Sequence, residues 1–372
     1  MKVDRNVILL GIASFINDIS SELISAVLPL FIIQLGGGGI ALGTVSGLRE
    51  LLSNVLKPVS GYLSDRFSRK KPLILSGYFL SALFKLLIGL SKDVSYVVLS
   101  STLERIGKGL RTAPRDAVIS LSQGKSGRKF GIHRSMDTAG ALLGVLLATF
   151  LTYMNFPIKT VILTGGIIAF FSLIPLIPVK EPKVKEQKLS HRKDEKFLSS
   201  EFFKVLIIIT IYSAGTLSAM FLIFVAGKET SERTALTLYC ILNFAYLLTA
   251  VPAGNLSDKL GKGRVLATGY LITALSLLFL SAHHSLTFLT LSFILYGISL
   301  GISDTVQRAF IEEITGKAKR GTAYGLLHGL TGLGLLTGNL SAGYLWNTYG
   351  NFSFIPFSFL CLTSSIVLFR KS

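Results

Sequence analysis

The chain is short of the groups from which soluble chemistry is built. It holds two cysteines in 372 residues, Cys240 and Cys361, and both lie inside apolar runs. A disulfide framework is therefore not expected; both read as small core or lipid-facing residues. Acidic residues number 20 against 38 basic ones. No Walker, Rossmann or zinc signature is present, so ATP hydrolysis by this chain alone is not expected. No nucleophile–base pair or metal set has usable spacing, which leaves no catalytic residue, metal site or cofactor to assign. His283 and His284 are adjacent but lack further ligand spacing, and read as loop residues. The glycine run 36–39 is too short for a phosphate-binding loop and reads as a flexible outer turn. A cleavable signal peptide is not evident, because the first apolar run is too long for a signal core and carries Asp18 and Glu22.

What is abundant is apolar sequence. Half the residues are hydrophobic (50%) and the mean hydropathy is +0.59, more than a soluble surface tolerates. Stretches of about 20 apolar residues, each long enough to cross a hydrocarbon core, recur along the chain. We place about twelve, near 7–33, 41–63, 72–91, 94–121, 130–154, 157–178, 202–226, 235–256, 264–282, 286–311, 321–346 and 351–369. The net charge of +18 would suit nucleic acid if it were clustered on one domain. Instead the basic residues fall in alternate loops, from Lys2 and Arg5 through Arg66 to Lys71, Lys125 to Lys129, Lys180 to Lys196, Lys259 to Arg264 and Lys317 to Arg320, to Arg370 and Lys371. This positive-inside pattern puts both termini in the cytoplasm. The expectation is an all-helical, multi-pass protein of the cell (plasma) membrane, with the lipid bilayer and not nucleic acid as its partner.

The longest polar stretch, 179–201, is rich in Lys and Glu and reads as a cytoplasmic linker. It divides the chain into an N-terminal six-helix bundle, 1–178, and a C-terminal one, 202–372. The halves repeat. GYLSDRFSRKKPL at 61–73 matches GNLSDKLGKGRVL at 254–266, and Glu104 to Gly140 lies on Tyr296 to Gly332 without a gap. Arg115 then falls on Gln307. Parallel repeats of this kind build transporters whose site lies between the halves near the midplane.

Charges inside the apolar segments mark where such a site would be. An ionisable group at membrane depth costs roughly 2.5–3.5 kcal/mol on insertion scales and usually faces a pathway or another charge. The densest stretch is ERIGKGLRTAPRD, 104–116, which carries Glu104, Arg105, Lys108, Arg111, Arg115 and Asp116. Lys108, Arg111 and Arg115 share one side of a helix, and a guanidinium can hold a carboxylate or phosphate through two bonds. In the first segment Asp18 and Glu22 lie one turn apart on one face. They could carry a proton or simply neutralise nearby bases. In the fifth, His133, Arg134 and Asp137 form a titratable group, with Asp137 expected to pair with Arg134 or a base of the fourth segment. Arg49 and Glu50 lie in the second segment. Asp304, Gln307 and Arg308 lie in the tenth. Tyr212, Tyr239, Asn243, Tyr246, His328 and Asn339 could supply hydrogen bonds or aromatic surface. Gly140 and Gly144 form a small-residue face for close packing. Lys85 reads either as reaching the cavity or as snorkelling toward the cytoplasm.

Taken with the repeat, these residues make the chain resemble the major facilitator superfamily (MFS) along essentially its whole length. The family's loop signature, G-x-L-a-D-r-x-G-r-k, is met by Gly61, Leu63, Asp65, Arg66, Arg69 and Lys70, with Ser68 in the usual glycine position. The second copy, Gly254, Leu256, Asp258, Lys259, Gly261 and Lys262, keeps the glycine. Arg105 and Gly109 fit the family's helix-four R-x-x-x-G. The resemblance implies about twelve membrane helices in two six-helix halves, alternating access, and a role for Arg105 in coupling and cavity polarity. The charges of the two loop motifs, with Gly61, Asp65, Arg66, Arg69, Lys70, Asp258, Lys259 and Lys262, are expected to form a cytoplasmic gate, and Arg115 and Asp116, near the cytoplasmic end of the fourth segment, to serve in that gate or to anchor a loop. The fifth segment lacks the Gly-Pro motif common in the family's drug antiporters.

The reading that follows is a monomeric secondary transporter, not an enzyme. It would move a small, polar, anionic solute by alternating access, with H+ as coupling ion. The alternatives are efflux of lipophilic or cationic compounds through Asp18, Glu22 and the aromatics, and a non-transporting membrane receptor on the same fold.

Overall fold

A computed structural model describes residues 4–66, 70–123, 126–180, 200–282, 285–314 and 320–371, with backbone alone for 57–58, 61–66, 126–128, 312 and 320–324. The polar stretch 181–199, the core of the expected linker, lies outside the described residues, as do His283 and His284. Among those residues the structure is helical throughout, with no strand.

The first helices are α1 (Arg5–Gln34), α2 (Gly39–Arg66), α3 (Lys71–Leu90), α4 (Val94–Leu121), α5 (Ser126–Tyr153) and α6 (Ile158–Phe171). After residues 181–199 come α7 (Ser200–Gly215), α8 (Ala219–Glu229), α9 (Glu232–Leu260), α10 (Lys262–Ser281), α11 (Leu286–Ile314), α12 (Arg320–Tyr349) and α13 (Ile355–Lys371). Local chemistry sets the boundaries. Asp4 caps α1 by accepting from the Asn6 amide at 2.8 Å, and Asp93 caps α4 through Tyr96 at 3.1 Å. Pro72 sits in the first turn of α3, where a missing N–H costs nothing. Gly261, with φ of 92°, makes the sharp turn from α9 to α10.

Nine runs among the described residues are long and apolar enough to cross a membrane. One of them, Gly325–Lys371, covers both α12 and α13, and another, Ser200–Glu229, covers α7 and α8 together. The helices left out are α2 and α4, which carry several of the embedded charges singled out above.

Contacts divide the chain into two compact units, one of residues 1–36 and 52–191, the other of residues 37–51 and 192–372. The first half of α2 thus belongs by contact to the second unit, although sequence order puts it in the N-terminal half. Glycines explain this. Gly39 abuts Gly343 and Trp346 of α12, Gly43 abuts the Asn339 backbone, and Gly47 abuts Leu336, so the two backbones meet without side chains between them.

Within each unit the packing repeats. In the first, α1 packs on α5 and α6, and α3 on α4 and α6; in the second, α7 packs on α12 and α13, and α10 on α11 and α13. The seventh apolar segment departs from its counterpart α1 by breaking at Gly215–Ser218. Backbone groups freed at membrane depth must find partners, and these do. The Ser218 amide donates to Asn339 Oδ1 at 2.9 Å, the Thr216 amide to Tyr212 O at 2.7 Å, and the Tyr296 hydroxyl to Leu217 O. Asn339, fully buried, also accepts from Ser46 Oγ of α2 at 3.1 Å.

Two outcomes follow. A Cβ at Gly144 would collide with the Ile19 carbonyl on α1. Gly144→Val should therefore lower stability by about 1–3 kcal/mol, read as a lower melting temperature in detergent, whereas Gly131→Ala, at a position with open space, should leave it near the parent. Asn339→Leu strips the acceptor from the Ser218 amide, at about 1–3 kcal/mol for a buried donor left unsatisfied, while the Ser46 hydroxyl keeps Leu42 O at 2.8 Å. The same melting measurement checks it, and a parent-like value would show that the break is held by other contacts.

Candidate functional site

The polar interior of the first unit is built on α1, α3, α4 and α5. Lys85 of α3 is 1% exposed. Its ammonium donates to Asn17 O at 3.2 Å, Asn17 Oδ1 at 2.9 Å and Ser21 Oγ at 2.7 Å. Three oxygens from one face of α1 therefore surround it. The lysine neither snorkels nor stands free in a cavity: it ties α3 to α1. Glu104 of α4, also buried, accepts from Ser81 Oγ of α3 at 3.0 Å, and its other oxygen lies 3.4 Å from Arg105 Nε.

Arg111 occupies a different environment. It is 2% exposed, and its Cζ stands 4.1 Å above the centre of the Tyr78 ring. That cation–π contact takes one face of the guanidinium. Nη1 is buried and has no hydrogen-bond partner among the described residues. Gly77 and Gly107 let α3 and α4 approach closely beside it. Lys108 is half-buried, one turn before Arg111, and feels the carboxylates of Asp18, Glu104 and Glu22.

One turn further on, Arg115 donates from Nη1 to Ser14 Oγ at 3.0 Å and from Nε to Asp116 Oδ1 at 3.0 Å. Ser14 is a junction. Its Oγ also lies 2.9 Å from the Tyr78 hydroxyl and 3.0 Å from His133 Nε2. His133 Nδ1 in turn lies 3.4 Å from Asp137 Oδ2. Asp137 thus pairs with His133, one turn back on its own helix, while Arg134 is exposed. Asp18 accepts from Asn17 Nδ2 at 3.2 Å, and both Asp18 and Glu22 are half-buried.

The corresponding place in the second unit holds hydroxyls and rings. Tyr212 of α7 stacks on Tyr270 of α10, with centroids 3.5 Å apart and planes 10° from parallel. Its hydroxyl meets Thr273 Oγ1 at 2.9 Å and Ser303 Oγ at 3.2 Å. Gln307 is half-buried, whereas Asp304 and Arg308 are exposed; Asp304 lies 3.5 Å from the Tyr246 hydroxyl. Arg49 is buried, Glu50 half-buried, and both have interaction partners.

Of the expected gate, Arg69 lies outside the described residues, and Gly61, Asp65 and Arg66 are described by their backbone alone. Lys70 is buried and partnered. Asp258 and Lys259 are exposed, and Lys262 donates to Glu313 Oε2 of α11 at 2.6 Å, inside its own unit. Cys240 and Cys361 are free thiols. Among the described residues no set of His, Cys, Asp and Glu is placed to hold a metal ion.

Sequence reasoning passed over Ser14, Asn17, Ser21 and Tyr78. The signal was available: Ser14, Asn17 and Ser21 recur at i, i+3 and i+7, one polar stripe on an apolar helix.

Comparison with known proteins agrees with this architecture. The family model described as Major Facilitator Superfamily matches residues 10–230 and 228–372. An MFS-type transporter of Methanocaldococcus jannaschii is 40% identical over 99% of this chain and 95% of its own length. The multidrug resistance protein MdtG of Citrobacter koseri is 26% identical over 98% of this chain and 93% of its own. The crystal structure of the nucleoside transporter NupG superposes with a TM-score of 0.78 at 14% identity, covering 98% of both chains. These are membrane transporters rather than enzymes, and the chain belongs to the Major Facilitator Superfamily.

Proposed function

We propose that this transporter moves a small anionic solute by alternating access, coupled to protons across the plasma membrane. The observation that carries the reading is Arg111. Most embedded cations already have acceptors: Lys85 has three, and Arg115 has Ser14 and Asp116. Arg111 instead keeps a buried Nη1 with no partner among the described residues, beside a ring that leaves its in-plane donors available. A buried guanidinium donor left unmade is costly, on the order of 1–3 kcal/mol, and the chemistry that recovers this is a carboxylate or phosphate oxygen. Support rests on this group rather than on a tally of charges, because acids and bases on α1, α4 and α5 largely answer one another.

A second reading, export of drug-like compounds, is favoured by the names of relatives such as MdtG and by the stacked Tyr212 and Tyr270 in the second unit. No observation favours a non-transporting receptor.

The test is flux in proteoliposomes, with and without an imposed pH gradient, against a panel of organic and phosphorylated anions and of lipophilic cations. The expected result is gradient-dependent movement of anions that falls at least about tenfold in Arg111→Lys, which keeps the charge but loses the planar fork; tenfold corresponds to about 1.4 kcal/mol. Movement of lipophilic cations that survives Arg111→Lys and is lost in Tyr212→Ala would overturn the anion reading in favour of the second.

A further inference from the structure

We infer that the exchangeable proton of this transporter is bound at Asp137, with His133 as its positioning residue, rather than at the Asp18 and Glu22 carboxylates of α1. The inference rests on the proton-coupled reading above for its role in transport, but the site is argued from geometry alone. Asp137 lies on α5 with Oδ2 facing His133 Nδ1 at 3.4 Å, while Oδ1 is buried and has no hydrogen-bond partner among the described residues. Asp18 Oδ1, by contrast, accepts from Asn17, and Glu22 has a partner.

Hydrogen-bond capacity at Ser14 then determines how His133 is held. A serine hydroxyl donates one bond and accepts up to two. Arg115 Nη1 has no lone pair to offer, so its bond to Ser14 Oγ, at 3.0 Å, uses one acceptor site. Two neighbours remain, the Tyr78 hydroxyl at 2.9 Å and His133 Nε2 at 3.0 Å. With His133 neutral and Asp137 ionised, the arrangement that satisfies every group has Tyr78 donating to Ser14, Ser14 donating to Nε2, and the ring proton on Nδ1, on the side of Asp137. The buried network therefore selects the imidazole tautomer that carries its proton on Nδ1, the nitrogen 3.4 Å from Asp137 Oδ2.

This decides where an added proton goes. Placing it on Nε2 would turn an acceptor into a donor, and both the Ser14 and the Tyr78 hydroxyls would have to reverse. Placing it on Asp137 Oδ1 requires no reversal, because that oxygen has no competing bond. Protonation converts the carboxylate to a carboxylic acid, with one O–H bond formed and the Nδ1–H contact kept. The proton comes from and returns to water. The charged and titratable groups facing the pair are Arg115 and Asp116 of α4, Asp18 of α1, Arg134 of α5 and Tyr78 of α3. Arg111 lies over the same Tyr78 ring, so the proton site and the proposed anion site share one side chain.

The test uses the full chain in lipid nanodiscs and needs no transported solute, so it stands apart from the anion reading and from coupling itself. Infrared difference spectra between alkaline and acidic buffer report protonated carboxyl groups, and nitrogen NMR of labelled imidazole reports the His133 tautomer, assigned by its loss in His133→Gln. The expected result is a carboxylic-acid band that appears on acidification, disappears in Asp137→Asn and remains in Asp18→Asn, together with His133 protonated on Nδ1 at the alkaline end. In Ser14→Ala the NMR signal should become a mixture of tautomers. A band retained in Asp137→Asn, or lost in Asp18→Asn instead, overturns the assignment. So does a parent His133 that carries its proton on Nε2, a readout that depends on no variant folding well except the one used for assignment.

Discussion

A charge at membrane depth has to be answered by the protein, and much of the first unit follows from that constraint. Lys85 is the clearest case. Its ammonium could not be buried at the centre of an apolar helix unless oxygens replaced water around it. α1 supplies them from Asn17 and Ser21, and in doing so is held against α3 at a fixed register. Ser81 with Glu104, and Ser14 with Arg115, repeat the arrangement between α3 and α4 and between α1 and α4. Each pair costs desolvation and returns little net stability. What these pairs secure is geometry: α1, α3, α4 and α5 are pinned by directional bonds where generic apolar packing would allow sliding.

Against that background the incomplete groups stand out. Arg111 Nη1 and Asp137 Oδ1 are buried with no hydrogen-bond partner among the described residues; Glu104 Oε2 and Arg105 Nε share that status but face each other as an ion pair at 3.4 Å. The first two are connected. Tyr78 presents its ring to Arg111 and its hydroxyl to Ser14, and Ser14 meets His133, which meets Asp137. An anion arriving at the guanidinium and a proton arriving at the carboxylate would therefore act on one hydrogen-bonded chain. That is a physical route by which two ligands can bias the same element.

The membrane class, the two-half repeat and most helix boundaries were legible in the sequence, because apolar run length, loop charge and the pairing of 61–73 with 254–266 are all one-dimensional signals. The candidate site was legible only in part. The charged residues of 104–116 announce themselves by their cost, but the sequence does not say which of them is already paired. Arg111 and Arg115 look alike as letters, and only the positions of Ser14 and Tyr78 separate them. Asp137 was expected to pair with Arg134 or with a base of the fourth segment; Arg134 is exposed, the contact at 3.4 Å is made by His133 one turn back, and Arg115 of α4 acts on the carboxylate electrostatically. The break in the seventh segment was hidden for a related reason. Gly215 to Ser218 carries no proline, and what makes the break tolerable is the distant Asn339 and Tyr296.

The repeat sharpens the argument about where chemistry resides. When Glu104 to Gly140 is laid on Tyr296 to Gly332, Arg111 falls on Ser303 and Glu104 on Tyr296. The two units keep the same packing partners, so these positions are held by equivalent scaffolds. In the first unit the slot near α3 holds a guanidinium on Tyr78; in the second it holds the Ser303 hydroxyl near a stacked Tyr212 and Tyr270. Both solutions fill the space, and the neutral one avoids the desolvation of a charge. A scaffold that can close its core with serine and tyrosine has no structural need of arginine at that position. The charge in one copy and its absence in the other are what the ligand role proposed for Arg111 would produce.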